Sequence, residues 1–255
     1  MKRDKLYISS VADDAVEVAT AHGLGLEVAE YCTAFNMDQY FDATDKVVRE
    51  KMAQIKSDRF IFHGPFNELS PAAIDPKVLA ITRERYEQAI SLAADYGIKR
   101  IVIHSGFTAD MYYKEWFESR SVSFWKEFLE TVPGDYEIMW ENVFERDPEQ
   151  LFRIAQQIDN PRFKLCFDIG HANVVTESKD VFQWLEVYAP YLGHFHIHNN
   201  YGDRDQHNGL LEGKIDMEAF LMLCDELAPN ATLTIESLHS GPSVEWLEEK
   251  AILAD

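Results

Sequence analysis

Eight short apolar runs alternate with longer amphipathic stretches along this chain, and the alternation is what most constrains its fold. The runs cover residues 6–8, 24–28, 59–63, 100–104, 136–141, 163–168, 194–198 and 232–236. Their length and their β-branched and aromatic content are typical of strands. Each stretch between them has room for a helix. Alternation of this kind predicts a parallel sheet with helices outside it.

Two architectures satisfy that pattern, an open doubly wound sheet and a closed barrel. The open sheet usually carries a glycine-rich nucleotide loop after its first strand, whereas residues 9–14 contain no glycine. Eight βα units in about 250 residues is the size expected of a (β/α)8 barrel. The sequence therefore predicts an α/β fold, a single TIM barrel. It has no linker, repeat or low-complexity segment, so we expect one domain over residues 1–255.

Several helix boundaries are readable from capping signals. The pattern over residues 81–96 is free of Gly and Pro and stops at Gly97, a typical residue after a helix end. Asp147 and Pro148 predict a helix that runs to residue 158, with Asp147 as its N-cap. Similar patterns predict helices over residues 180–188 and 216–227.

Composition excludes several classes of protein. Hydrophobic residues make up 46% of the chain, too many for intrinsic disorder. The chain has 44 acidic and 24 basic residues and a net charge of -20, which argues against a protein that grips duplex DNA by its phosphates. Neither a membrane span nor a secretory apolar segment is recognisable, so we expect a cytoplasmic protein. Three widely separated cysteines predict reduced thiols rather than a disulfide framework.

Metal-ligating residue types concentrate where the active site of a barrel lies, at the carboxyl ends of the strands. The candidates are His63, His104, Glu141, Asp168, His171, His194, His196, His198, Asp203, Asp205, His207 and Glu236. So many ionisable groups around one axis would be costly to bury unless cations lay between them. A mixture of imidazoles and carboxylates suits Zn, Mn or Fe better than Mg or Ca. We predict two or three divalent metal ions, zinc first.

The chain resembles the xylose-isomerase-like TIM barrel superfamily, which contains sugar phosphate isomerases and epimerases and the endonuclease IV branch (AP endonuclease family 2). The resemblance rests on His63-Gly64-Pro65-Phe66, Ile103-His104-Ser105-Gly106, Glu141-Asn142, Asp168-Ile169-Gly170-His171, His196-Ile197-His198-Asn199, Asp205-Gln206-His207 and Glu236-Ser237. These motifs follow the family's order over essentially the whole chain.

Similarity to endonuclease IV implies nine ligands for three zinc ions. The set is His63 and His104 with a bridging Glu141 for the first ion, Asp168, His196 and Glu236 completing the second, and His171, Asp205 and His207 for the third. On the seventh strand, His196 matches the family pattern, while His194 and His198 share its strand face and stay open as alternatives. Asp203 is a weaker rival of Asp205.

Similarity to the isomerase and epimerase branches implies a smaller site. There Glu141, Asp168, His196 and Glu236 would surround one metal, and the two glutamates would be the catalytic residues that move a proton. The two interpretations share these four residues. They differ in whether the remaining five are recruited.

Departures from endonuclease IV bear on the substrate. Where endonuclease IV carries an Asp-Arg-His motif, this chain has Gln206 in place of the arginine. The loop over residues 29–45 is acidic and aromatic, whereas a DNA-inserting loop would carry arginine. We expect hydrolysis of a phosphoester in a small molecule, with sugar or sugar-phosphate isomerisation or epimerisation as the alternative. Abasic-site DNA cleavage and non-catalytic sugar binding rank below these. The expected partner is a sugar or phosphorylated compound, and the sequence is compatible with an oligomer.

Overall fold

Eight parallel strands close into one barrel in the computed structural model, which describes residues 1–176 and 180–254. The strands are β1 (Leu6–Ser9), β2 (Gly25–Val28), β3 (Phe60–His63), β4 (Arg100–His104), β5 (Glu137–Glu141), β6 (Phe163–Asp168), β7 (Leu192–Ile197) and β8 (Thr232–Ile235). Each strand pairs with the next in chain order, and β8 pairs with β1. The predicted (β/α)8 barrel is thereby confirmed.

Ten α-helices connect and surround the strands in the described part of the chain. They are α1 (Ala15–His22), α2 (Ala34–Met37), α3 (Phe41–Gln54), α4 (Pro76–Asp95), α5 (Lys114–Thr131), α6 (Glu149–Ile158), α7 (Ile169–Val175), α8 (Phe182–Tyr188), α9 (Met217–Leu227) and α10 (Gly241–Glu249). Two connections hold two helices each: α2 and α3 between β2 and β3, and α7 and α8 between β6 and β7.

Capping explains most of the helix ends and corrects one prediction. Helix α4 begins earlier than predicted, because the Asp75 side chain accepts a hydrogen bond from the Lys77 amide, and it ends before Gly97, whose φ is 73°. The prediction that Asp147 is the N-cap of α6 is wrong. Pro148 holds that position, and the Asp147 carboxylate instead pairs with Lys114.

The apolar side chains form two layers. The outer layer packs the strands against the helices and includes Trp125 and Trp140, both fully buried. Trp140 stacks on Phe117 of α5, with ring centroids 6.1 Å apart, so it points away from the barrel axis as its place in the strand predicts. A small inner layer fills the lower part of the barrel with Tyr7, Ile61, Val102, Met139 and Cys166. Polar residues lie above this inner layer.

Candidate metal centre

Strand periodicity carries four of the predicted ligands into the barrel. Residues two apart in a strand share a face. Each inner-layer residue of β3 to β6 is therefore followed two positions later by a polar side chain on the same face. The pairs are Ile61 and His63, Val102 and His104, Met139 and Glu141, and Cys166 and Asp168. Strand register then sets neighbours side by side, since His104 pairs with Glu141 and Asp168 pairs with His196.

Glu141 lies at the centre of the polar layer and is fully buried. Its Oε2 is 3.5 Å from Nε2 of His63 and 3.4 Å from Nε2 of His104, and its Oε1 is 3.3 Å from Nδ1 of His196. Neither carboxylate oxygen has a hydrogen-bond partner among the described residues, and neither does Nδ1 of His196. Leaving buried charged or polar atoms unpartnered is costly. The separations match the roughly 3.3 Å between two ligands of one tetrahedral zinc ion, so these residues fit a metal.

Three imidazole rings are oriented by backbone carbonyls. Each has its Nδ1 within 2.8–3.0 Å of a carbonyl oxygen, in the pairs His63 with Gly64, His171 with Asn142, and His207 with Glu236. Donation of the Nδ1 proton to the carbonyl fixes each ring with its Nε2 facing a carboxylate of the site. Metal-ligating histidines are held in this way.

The four residues shared by both family branches converge around His196. Its Nδ1 is 3.4 Å from Oε2 of Glu236 and 3.9 Å from Oδ2 of Asp168, in addition to its contact with Glu141. One nitrogen and three carboxylates thus surround a single position in the barrel mouth.

A second group of donors, here called the outer group, adjoins the first and consists of His171, His198, Asp205 and His207. Oδ2 of Asp205 is 3.3 Å from Nε2 of His171 and 2.9 Å from Nε2 of His207. His198 stacks on His207 with ring centroids 4.0 Å apart, and its Nε2 is 3.2 Å from Oδ1 of Asp168. The structure therefore brings together all nine ligands predicted from the sequence and adds His198 to them.

The alternatives left open at strand β7 occupy different places. His196 is the central residue, His198 begins the following loop in the outer group, and His194 lies deeper in the barrel with its Nδ1 2.7 Å from the Thr232 hydroxyl. Asp203, the rival of Asp205, points to the surface and accepts a hydrogen bond from Gln206.

Glu27 is the functional candidate that sequence reasoning missed. It lies in β2, fully buried, and its Oε1 is 3.0 Å from Nε2 of His196. Its Oε2 is 3.1 Å from Nε2 of His194 and accepts a hydrogen bond from Thr234. The carboxylate thus holds His196 with Nδ1 directed at Glu141 and Glu236. An acidic residue within the apolar run 24–28 was the available signal.

Burial and neighbouring charges shift the pKa values of the titrating groups of the site in different directions. Burial raises the pKa of Glu236 despite the opposing charge of His196, and the charges of Glu141 and Glu27 raise it further. For Glu141, burial also raises the pKa, but the charges of His104 and His196 outweigh it and the pKa falls well below the usual range. Burial lowers the pKa of His104 to about 3.

In the outer group, the pKa of one imidazole is raised, in contrast to the lowered pKa of His104. Burial lowers the pKa of His207, but its hydrogen bond with Asp205 and the charge of Glu236 outweigh burial and raise the pKa to about 9. His207 therefore carries a proton at neutral pH that a metal ion would have to displace.

A cavity of about 990 Å³ opens above the centre, with His63, His104, His171 and His207 on its floor. Phe66 and Phe107 contribute to its wall. Phe66 also stacks on His104 at 4.1 Å between ring centroids.

The profile of the family described as xylose isomerase-like TIM barrel matches residues 18–254. The chain belongs to this family. Within the described residues, we find no helix that combines the length and apolarity required to traverse a bilayer.

Several solved structures share the barrel. A D-tagatose 3-epimerase-like protein has a TM-score of 0.77 and 23% identity, over 97% of this chain and 96% of that one. A Thermus thermophilus protein, in crystals soaked with ZnCl2, has a TM-score of 0.76 and 24% identity over 97% and 98%. The 3-keto-D-glucoside 4-epimerase of E. coli has a TM-score of 0.71 and 14% identity over 96% and 99%. At these identities the likeness concerns the fold.

Proposed function

We propose that this protein is a metal-dependent isomerase or epimerase of a sugar-like hydroxycarbonyl compound. One observation carries the proposal: Glu141 and Glu236 both approach the same nitrogen of His196, at 3.3 and 3.4 Å, with Asp168 beside them. Two carboxylates at one metal position are the groups that such a reaction needs, since one removes a proton beside the carbonyl and another returns it.

The four converging residues, Glu141, Asp168, His196 and Glu236, would hold the ion. A divalent metal held there, zinc first and Mn or Fe as alternatives, would supply Lewis-acid polarisation of a substrate carbonyl. One glutamate, as the carboxylate, would take the proton from the carbon beside the carbonyl, and the other, as the carboxylic acid, would return a proton to the substrate. Glu27 keeps His196 oriented throughout.

Phosphoester hydrolysis, the function ranked first from the sequence, becomes the second candidate. Two of the structural neighbours carry epimerase names, which supports the alternative interpretation. Among the described residues that line the cavity, none is Lys or Arg, the side chains that most often bind a phosphate. The outer group is the observation that keeps hydrolysis in consideration, because a second ion beside the first could stabilise a phosphoryl group.

The two candidates are separated by turnover of the metal-loaded protein. We expect conversion within a panel of ketoses, aldoses and keto-glycosides, and no release of nitrophenol from bis(4-nitrophenyl) phosphate. Changing Glu236 to Gln should reduce the isomerisation rate by about 10²–10⁴-fold, as expected for loss of a general acid–base group. Glu226→Gln, on the exposed outer face of α9, is the matched control and should retain full activity. Phosphodiester cleavage without any sugar conversion would replace the proposal by the second candidate.

A further inference from the structure

The cavity above the metal centre is larger than a single sugar ring requires. Binding pockets of about 300–1,000 Å³ hold drug-sized ligands, and this cavity of about 990 Å³ lies at the upper end of that range. It is continuous with the metal-binding groups, since His63, His104 and Glu236 line it. A substrate whose reacting end meets Glu141 and Glu236 therefore has room for a further group in the same cavity.

The part of the cavity away from the metal centre is apolar. Its wall continues outward from the buried Phe107 to large side chains that stay exposed at the mouth. These are Ile74, Val78, Met111 and Phe144, with 69%, 39%, 66% and 51% of their surfaces exposed. Contiguous exposed apolar side chains around a groove mark binding sites. Aromatic rings and a methionine sulfur are favourable neighbours for another aromatic ring.

The charge of the cavity narrows the occupant further. In the described part of the chain, the carboxylates that line it are those of Glu68, Asp75, Asp205 and Glu236, and no Lys or Arg lines it. The imidazole of His207, protonated at neutral pH, lies on the floor beside Asp205 and not in the outer part. A phosphate or carboxylate on the outer part of a substrate would meet negative charge without a cation to pair with. The lining is therefore complementary to a neutral, apolar group.

We infer that the substrate is a neutral hydroxycarbonyl compound with an apolar, preferably aromatic, substituent that lies against Ile74, Met111 and Phe144. The assignment of the hydroxycarbonyl group rests on the proposed function, whereas the assignment of the apolar substituent rests on the cavity alone. This substrate class excludes sugar phosphates and gives a reason for the exposed apolar mouth.

Equilibrium binding tests the inference without requiring turnover. Titration calorimetry would compare 2-hydroxy-1-phenylethanone with hydroxyacetone, which share the hydroxyketone group and differ in the phenyl ring. We expect the phenyl compound to bind at least about tenfold more tightly, because burial of a ring on the apolar wall is favourable. Ile74→Asp and Met111→Asp, each at an exposed position, should remove that preference. Met222→Asp on α9, where 68% of the side chain is exposed, is the matched control and should preserve it.

Three results would overturn the inference. The first is equal affinity for the two ketones, including no binding of either. The second is tighter binding of dihydroxyacetone phosphate than of dihydroxyacetone. The third is a phenyl preference that both variants retain, together with light scattering which shows that both substitutions dissociate a dimer. The apolar mouth would then be covered by a second copy of the chain and not by the substrate. If the protein converts no sugar but still binds the phenyl compound more tightly, only the proposed function is contradicted.

Discussion

The carboxylate of Glu27 fixes how His196 presents its ring, and no residue near it in sequence could have shown this. Its partners His194 and His196 lie 167 and 169 positions further along the chain. Strand alternation predicts which side chains enter the barrel. It does not predict which of them meet across the barrel axis. The nine candidate ligands could therefore be named from the sequence and its family resemblance, whereas the contacts of Glu27 and the place of His198 could not.

Substitution of Glu27 by Gln tests this positioning role. The amide keeps the size of the side chain but cannot accept from both His196 and His194, so His196 is held less firmly. We expect metal affinity to fall about 10- to 100-fold, the range seen when such supporting partners are lost. Competition with a chromogenic chelator measures it. Unchanged affinity, equal to that of Glu226→Gln, would show that Glu27 has no part in the metal centre.

Protonation of His207 predicts that metal binding depends on pH. Its pKa of about 9 in the metal-free site means that the ring is protonated at neutral pH, so a metal ion must displace a proton. Since this pKa lies above the usual value of about 6.5, the pair with Asp205 stabilises the metal-free fold below about pH 6.5. That contribution is lost as the pH rises through about 9.

Calorimetry in two buffers of different ionisation enthalpy measures the protons released per metal ion. We expect proton release at pH 7 and a decline in that release as the pH rises through about 9. Binding to the outer group with no proton release at pH 7 would contradict the assigned ionisation of His207.

At the scale of elements, the eight apolar runs predict the strands to within about two residues, because buried parallel strands are short, apolar and separated by helices. Strand β7 differs most. It begins at Leu192 rather than at residue 194. Its pairing register with β6 shifts between Leu165 and Cys166. Cap residues were less predictable. The carboxylate of Asp147 satisfies Lys114 of a different helix instead of its own α6, and such tertiary pairing is not encoded in local sequence.

Helix α7 is so close to the loop after β7 that Gly170 is required there. A Cβ at this position would lie 1.9 Å from Cε1 of His198. We therefore expect Gly170→Ala to displace His198 or α7 and to destabilise the protein by about 1–3 kcal/mol, the usual cost of overpacking. Thermal unfolding measures the effect. Gly209→Ala is the control, since its Cβ would approach a single atom, Oγ of Ser243, at 3.2 Å. Equal free energies of unfolding for the two variants would show that the loop after β7 moves to accommodate the Cβ without loss of stability.

The whole molecule carries a net charge of -20, which repels a polyanion at long range. DNA affinity comes largely from phosphates neutralised by Lys and Arg, and the cavity lining in the described residues contains neither. We expect no incision of an abasic-site duplex by the metal-loaded protein, even at low salt. Gel analysis of the labelled duplex measures this. Efficient incision would restore DNA repair as the function of this barrel.

Exchange of substrate hydrogen with solvent tests the central claim most directly, because proton transfer beside a carbonyl distinguishes an isomerase or epimerase from a hydrolase. The metal-loaded protein would be incubated in D2O with hydroxyketones and ketoses, and the C–H signals followed by proton NMR. The account predicts deuterium incorporation at the carbon beside the carbonyl, its loss in Glu141→Gln and Glu236→Gln, and its loss on chelation with recovery on metal addition. No incorporation with any of these compounds, or incorporation that persists in both glutamate variants, would contradict the account.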